Sequence, residues 1–322
     1  MMTTIPPTQI LAASITKAAS RQTYYTIRYL VDRDRVADAY RAYAYFRWVD
    51  DTLDADLSLS GAAGEVEAQK RTFFLARQKS LLEKCYRRES IQDAAPEEQM
   101  LIELVGQDHE KNSGLQSYLY NMMQVMEFDA RRRGRWISQT ELDQYTRWLA
   151  TAVTEAMHYF IGHCCYASRP HDESRYLAVS AAHITHMLRD TVDDVQAGYY
   201  NIPGEVLEAN KIQPQDFHSK AYCDWVRNRV HLARKYFQAG SGYLARVKNP
   251  RCRLAGFAYT ARFEWLLDTI EREDYFLRPE YRERKSLNTG LRMGLSTLST
   301  LLHRRDRKAM PSNVVSGSLK KL

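Results

Sequence analysis

The chain has 322 residues, 44% hydrophobic and 26% charged, a balance that places it among soluble globular proteins with enough apolar surface for a sizeable core. No run of about 18 apolar residues occurs, which excludes a membrane-spanning helix, and "MMTTIPPTQILAASITKAAS" lacks the basic and apolar regions of a signal peptide. The net charge of +7 suits an anionic membrane surface or polyphosphate substrates, and no nucleic-acid motif accompanies it.

Apolar residues recurring every three or four positions predict ten helices. The first spans 8–20 and the second 33–57, where Val36, Tyr40, Tyr43 and Phe46 share one stripe. After the break "DLSLSGAAG", helices follow at 65–88, 97–110 and 113–133. A capping box from Ser138 to Glu141 opens the helix at 141–166. Helix 173–198 runs to a second break, "YYNIPGE", and helices 216–239, 251–274 and 281–304 follow. Prolines 96, 170, 203, 214, 250 and 279 fall between these segments, and no alternating strand run appears. The expectation is one all-α domain over 1–310 with a polar tail at 311–322. Cys85, Cys164, Cys165, Cys223 and Cys252 are odd in number with no CxxC pair, so reduced thiols in a cytoplasmic protein are expected. Basic stretches near the C-terminus, "RPEYRERK" and "LHRRDRKAM", suggest contact with a membrane surface.

Two acidic clusters carry the chemistry. In "YAYFRWVDDTLDAD", Asp50 and Asp54 are four apart and leave one helix face, with Asp51 beside them and Tyr43 and Arg47 one and two turns back. In "HITHMLRDTVDD", Asp190 and Asp194 repeat the spacing, with Asp193 adjacent and Arg189 next door. Carboxylates this close repel unless a cation sits between them. Two such helices facing each other could hold Mg²⁺ through oxygen, the ion completing its octahedron with water and phosphate. One cluster alone reads as a solvated acidic face; two matching clusters point to metal-assisted loss of a diphosphate.

"DDTLD" (50–54) resembles the first aspartate-rich motif of squalene and phytoene synthases, and "RDTVDD" (189–194) their second. "SRQTYYTIRYLVDRDRVADAYRAYAYFR", "MEFDARR", "TELDQY", "AGYYNIPGEVLEANKI" and "LLDTIEREDYFLR" are similar to further family segments, so the likeness runs from about 14 to 290. The resemblance implies an all-α class I isoprenoid-synthase bundle around a central cavity. It implies a prenyltransferase that joins two prenyl diphosphates, farnesyl or geranylgeranyl, head to head through a cyclopropyl intermediate. Asp50, Asp54, Asp190 and Asp194 would bind two or three Mg²⁺ ions with Asp51 in support. Ser20, Arg21, Tyr43, Arg47, Arg189 and Arg278 would hold diphosphate oxygens, arginine through its planar fork. Tyrosines (21 in all) and Trp48, Trp148 and Trp265 would supply aromatic faces for a carbocation, although any single ring reads first as core.

The sequence departs from the family at three places. His183 and His186 stand where Gln and a metal-binding Asn are usual, and imidazole nitrogen suits Mg²⁺ less than oxygen. His186 would then belong to an altered metal site, to a softer metal, or to a hydrogen bond with diphosphate or Asp190. "LATAVTEAMHYFIG" (149–162) lacks the family's glycines and adds Glu155 and His158, which implies a narrower or more polar cavity. Phe263 stands where a tyrosine is expected. These departures keep two alternatives open: an enzyme acting on one prenyl diphosphate, by cyclisation or transfer to another acceptor, and a non-catalytic assembly-type relative. No GxGxxG fingerprint indicates a site for NADPH, so reductant use stays open.

Overall fold

The computed structural model describes residues 7–55, 61–162 and 172–281, whose regular structure is all helical with no strand. Eleven α-helices occur among the described residues: α1 (Pro7–Ala19), α2 (Arg21–Leu30), α3 (Val36–Asp54), α4 (Gly61–Arg87), α5 (Pro96–Gly106), α6 (Gly114–Arg132), α7 (Gln139–Phe160), α8 (Ser174–Gln196), α9 (Gly204–Asn210), α10 (Lys220–Arg246) and α11 (Pro250–Arg272). A 3₁₀ turn at Arg33–Arg35 leads into α3. The helix expected at 281–304, the tail, Cys164 and Cys165 lie outside the described residues, apart from Tyr281.

The helix starts follow from capping chemistry. Ser20, Ser113, Ser138 and Ser219 accept hydrogen bonds from the backbone N–H of Thr23, Gln116, Glu141 and Tyr222. The expected capping box is present in both halves, Glu141 N–H to Ser138 Oγ at 3.1 Å and Ser138 N–H to Glu141 Oε2 at 2.8 Å. Pro7, Pro96 and Pro250 open α1, α5 and α11 at the first position, where a missing N–H costs nothing.

Three differences from the sequence reading have physical causes. α2 lies between the helices expected at 8–20 and 33–57, in a stretch rich in the weak helix formers Tyr, Thr and Ile. Packing overrides propensity there: Ile27 is buried, Tyr24 stacks on Tyr40 at 5.2 Å, and the Tyr40 hydroxyl donates to the Tyr24 carbonyl. α9 is only seven residues long, too short for a periodic signal. α10 continues to Arg246 through Gly240, which is a point of helix contact and no terminator. A Cβ on Gly240 would sit 2.4 Å from the Ala178 backbone nitrogen, so this glycine lets α10 cross α8 closely. Arg246 Nη2 also reaches Asp172 Oδ2 at 3.0 Å, which makes the α8/α10 pair antiparallel.

One core cluster joins α1 to α7 around the fully buried Tyr45, Leu101, Leu119 and Leu142; a second joins α8, α10 and α11 around Ile184, Val226 and Leu267. Each such side chain contributes about 1.5–3 kcal/mol. α8 runs between them, with small residues Ala178, Ser180, Ala181, Ala182 and Thr185 on its buried faces. Within 149–162, Glu155 and His158 are buried and partnered, whereas the buried Thr154 hydroxyl has no hydrogen-bond partner. Tyr176 donates to Glu155 at 3.0 Å, Arg175 pairs with the same carboxylate, and His158 lies 2.8 Å from the Tyr243 hydroxyl and 3.3 Å from Cys252 Sγ.

Candidate active site

Three helices end in carboxylates. Asp50, Asp51 and Asp54 occupy the last turns of α3, Asp190, Asp193 and Asp194 those of α8, and Asp129 that of α6. A helix C-terminus carries partial negative charge, and an acid there loses about 0.3–1 kcal/mol relative to a neutral residue. Neither α3 nor α8 has a basic residue in its last turn to offset this. The three ends converge: Asp129 is close enough to raise the carboxyl pKa of Asp50, Asp54 and Asp194, one residue reaching both walls. Two further contacts tie the α6 and α8 ends together, Gly134 N–H to the Gly198 carbonyl at 2.7 Å and Arg133 Nε to the Ala197 carbonyl at 3.0 Å.

Burial, and after it the like charge of Asp54, pushes Asp50 up to about 6. Asp194 is also pushed up to about 6, by burial and by Asp190, against the Asn201 hydrogen bond that lowers it. Asp54 is raised by burial and then by Asp129. These are shifts of carboxylates that lack sufficient positive charge. Each wall also carries an arginine on its own helix. Arg47 Nε donates to Asp51 at 3.0 Å and its Nη1 to Asp50 at 3.3 Å. Arg189 grips both oxygens of Asp190, at 2.5 and 2.6 Å.

The remaining expected residues divide. Tyr43 is half-buried within electrostatic reach of Arg47. Ser20 caps α2, accepting from the Thr23 N–H and hydroxyl, and Arg21 stands exposed beside it. Arg278 is engaged by Glu273 at 2.8 Å and lies over the Tyr281 ring. His186 is half exposed, with Nε2 2.6 Å from Arg189 Nη2 and 3.4 Å from Asp190 Oδ2. Arginine can only donate, so that nitrogen accepts and its lone pair is occupied. His183 differs entirely: it is buried, edge-on to Tyr145 at 4.9 Å, and neither ring nitrogen has a hydrogen-bond partner. Burial, then the charges of His186, Arg132 and Arg229, hold its pKa well below the usual imidazole value. Phe263 is buried against His186, and Tyr259 four residues earlier packs on its ring at 5.4 Å.

The sequence reading missed the floor of the site. Arg132 is buried, bonds Asp129 at 2.7 Å and donates to Asn201 at 2.8 Å; Asn201 in turn donates to Asp194 at 2.7 Å. The Tyr145 hydroxyl donates to the other Asp129 oxygen at 2.7 Å, and Arg132 lies over the rings of Tyr145 and Tyr199. These residues fall within "MEFDARR", "TELDQY" and "YYNIPGE". The available signal was an Asp three residues before an Arg at a helix end.

A family model described as squalene/phytoene synthase matches residues 16–288. The chain belongs to the squalene/phytoene synthase family. It is accordingly a prenyltransferase of the squalene/phytoene type. Solved relatives share the all-α fold. The squalene synthase HpnC from Alicyclobacillus acidocaldarius superposes with a TM-score of 0.64 at 16% identity, over 85% of this chain and 98% of that one. A dehydrosqualene synthase in complex with ligand gives 0.68 at 16%, over 92% and 97%. No curated protein matches the sequence.

Proposed function

We propose that this synthase ionises allylic prenyl diphosphates with Mg²⁺ and joins two of them head to head. The observation that carries the reading is the convergence of three carboxylate-bearing helix ends on Asp129. Among the described residues no three His, Cys, Asp or Glu side chains form a closed metal cage. Mg²⁺ needs none, because it takes one or two carboxylates and fills its octahedron with water and phosphate oxygens. The donors are hard oxygens, and the raised pKa values of Asp50 and Asp194 reflect negative charge that a cation would offset. The residues fit the ion.

Asp50 and Asp54 on one wall and Asp190 and Asp194 on the other would hold Mg²⁺, with Asp51 alongside. The bound ion supplies charge neutralisation for a departing diphosphate. Arg47 and Arg189 present guanidinium donors at the rim, each already turned toward its wall, and bind diphosphate oxygens there. Ser20, Arg21, Tyr43 and Arg278 complete the contacts to diphosphate. Arg132 and Asn201 fix the rotamer of Asp194, and Tyr145 fixes that of Asp129, so the floor ties the α6 end to the α8 wall.

Incubation with C10, C15 and C20 diphosphates and Mg²⁺, with and without NADPH, tests this by product identification. The expected products contain twice the carbons of the substrate. Products of substrate length only, under every condition, would overturn head-to-head joining in favour of a one-substrate enzyme. The buried Phe263 and the unpartnered His183 are the features that such an outcome would bring forward.

A further inference from the structure

Residues 7–31 carry Lys17, Arg21 and Arg28 and no Asp or Glu. Within them α2 has two unlike faces. Tyr24, Ile27 and Val31 turn inward against Tyr40 and the first core cluster. Tyr25, Arg28 and Tyr29 stand at helical spacing on an outward face, all exposed, with Tyr25 at 48% and Tyr29 at 71%. The two exposed rings stack on each other at 6.2 Å, and Tyr24 meets Tyr25 edge-on at 5.4 Å. Lys17, from the end of α1, lies 5.6 Å above the Tyr24 ring. The first acids of the chain lie beyond α2. Asp32 is engaged by Arg251 at 2.5 Å and by the Gly162 N–H at 2.9 Å, and exposed Asp34 is flanked by Arg33 and Arg35.

We propose that this face of α2, with Lys17, docks the protein on an anionic lipid bilayer. A tyrosine ring has an apolar body and a polar tip, which suits the headgroup boundary of a membrane. Arg28 and Lys17 lay their stems along the apolar layer and put their charge among lipid phosphates. An aromatic and cationic stripe with no acid matches that surface in both respects. A second copy of the chain fits poorly, because a two-fold contact through this stripe would bring the Arg28 and Lys17 charges of both copies together with no acid between them. Helix α2 is also anchored firmly enough to transmit docking. Arg251 Nη1 donates to the carbonyls of Leu30 and Val31 at 3.1 and 3.3 Å, fastening its C-terminal end to α11. The proposal is independent of the reaction: it stands on exposure, charge and helix register alone, and its test reads binding, not turnover.

The full chain is floated with vesicles of phosphatidylcholine alone and of phosphatidylcholine with phosphatidylglycerol. Binding is expected to the anionic vesicles and to weaken with salt. Arg28→Gln should weaken it about fivefold, the contribution of one cation near an anionic surface. Tyr25→Ser with Tyr29→Ser should weaken it by roughly tenfold or more while leaving the circular dichroism unchanged. Equal binding to both vesicles would overturn the proposal. So would a double tyrosine variant that binds like the parent, since the contact would then lie elsewhere. A parent dimer in solution that the tyrosine substitutions dissolve would assign the face to self-association and overturn lipid docking equally.

Discussion

Helix α3 serves two acidic neighbourhoods of opposite character. From its middle, the fully buried Tyr45 donates to Gln78 Oε1 at 3.0 Å, and Gln78 donates to Glu98 at 2.8 Å. Glu98 also takes two bonds from Arg77 at 2.6 Å and one from the Ala95 N–H at 3.0 Å. Arg77 above all, with the Ala95 and Gln78 hydrogen bonds, overcomes burial and holds this carboxyl down to about 2. Five residues beyond Tyr45, Asp50 is surrounded by other carboxylates and sits at about 6. Both acids are packed into the same helical layer. One is embedded in donors and ties α3, α4 and α5 together; the other is crowded by like charge that its contact to Arg47 does not offset. A satisfied buried carboxylate is structure, and a crowded one marks a candidate site.

The largest effects should therefore separate by assay. Asp50→Ala and Asp190→Ala should each lower Mg²⁺-dependent pyrophosphate release by roughly a hundredfold or more, with the thermal midpoint unchanged or raised. A loss of stability in step with the loss of activity would mean that these acids are structural. Asp129→Asn should lower the same rate by about tenfold and raise the Mg²⁺ requirement, because Asn removes the charge while its amide oxygen still accepts from Arg132 and its NH2 can donate to the Tyr145 hydroxyl. Glu98→Ala should do the converse. It leaves the donors of Arg77, Gln78 and Ala95 without their acceptor and costs about 2–3 kcal/mol in chemical denaturation. Turnover per folded molecule should stay at the parent value.

Much of this contrast was legible in the sequence, though unevenly. The two acid pairs at spacing four, each beside an arginine, specify both walls because helical period fixes which side chains share a face. The capping box at Ser138 was equally readable, since it is a local bond pattern. The floor was not. Asn201 reaches Asp194 only because the chain turns back after α8, and Arg132 reaches Asn201 across 69 residues of sequence. Nothing local marks such pairs. Glu98 was silent for the same reason: its partners Arg77 and Gln78 come from a different helix, and only the Ala95 contact is local. α2 escaped because its helix is held by tertiary packing against propensity, and α10 runs past its expected end at 239 through Gly240, whose contact with α8 only the fold reveals. His183 stood out in the sequence beside the second acid cluster, and its burial with no hydrogen-bond partner could come only from the fold.

The smallest effect sharpens the comparison through pH. Asp50 and Asp194 have folded values near 6 against 3.8 for the ordinary group. A raised carboxyl binds its proton more tightly in the folded state. Its contribution is full below about 3.8 and is lost as pH rises through about 6. Glu98, depressed to about 2 from 4.5, contributes above 4.5 and loses that contribution as pH falls through about 2. Without metal, the crowded site should thus contribute a decline in stability between pH 4 and pH 7, set against a gain from His183, whose depressed pKa acts in the opposite sense. Asp50 is 42% exposed, so solvent screening limits the change to about 1 kcal/mol for Asp50 and Asp194 together. In denaturation midpoints across that range, Asp50→Asn with Asp194→Asn should flatten the decline, whereas Glu98→Gln should shift the whole curve down and keep its slope. If Glu98→Gln flattened it instead, the assignment of crowding to one neighbourhood and satisfaction to the other would be reversed.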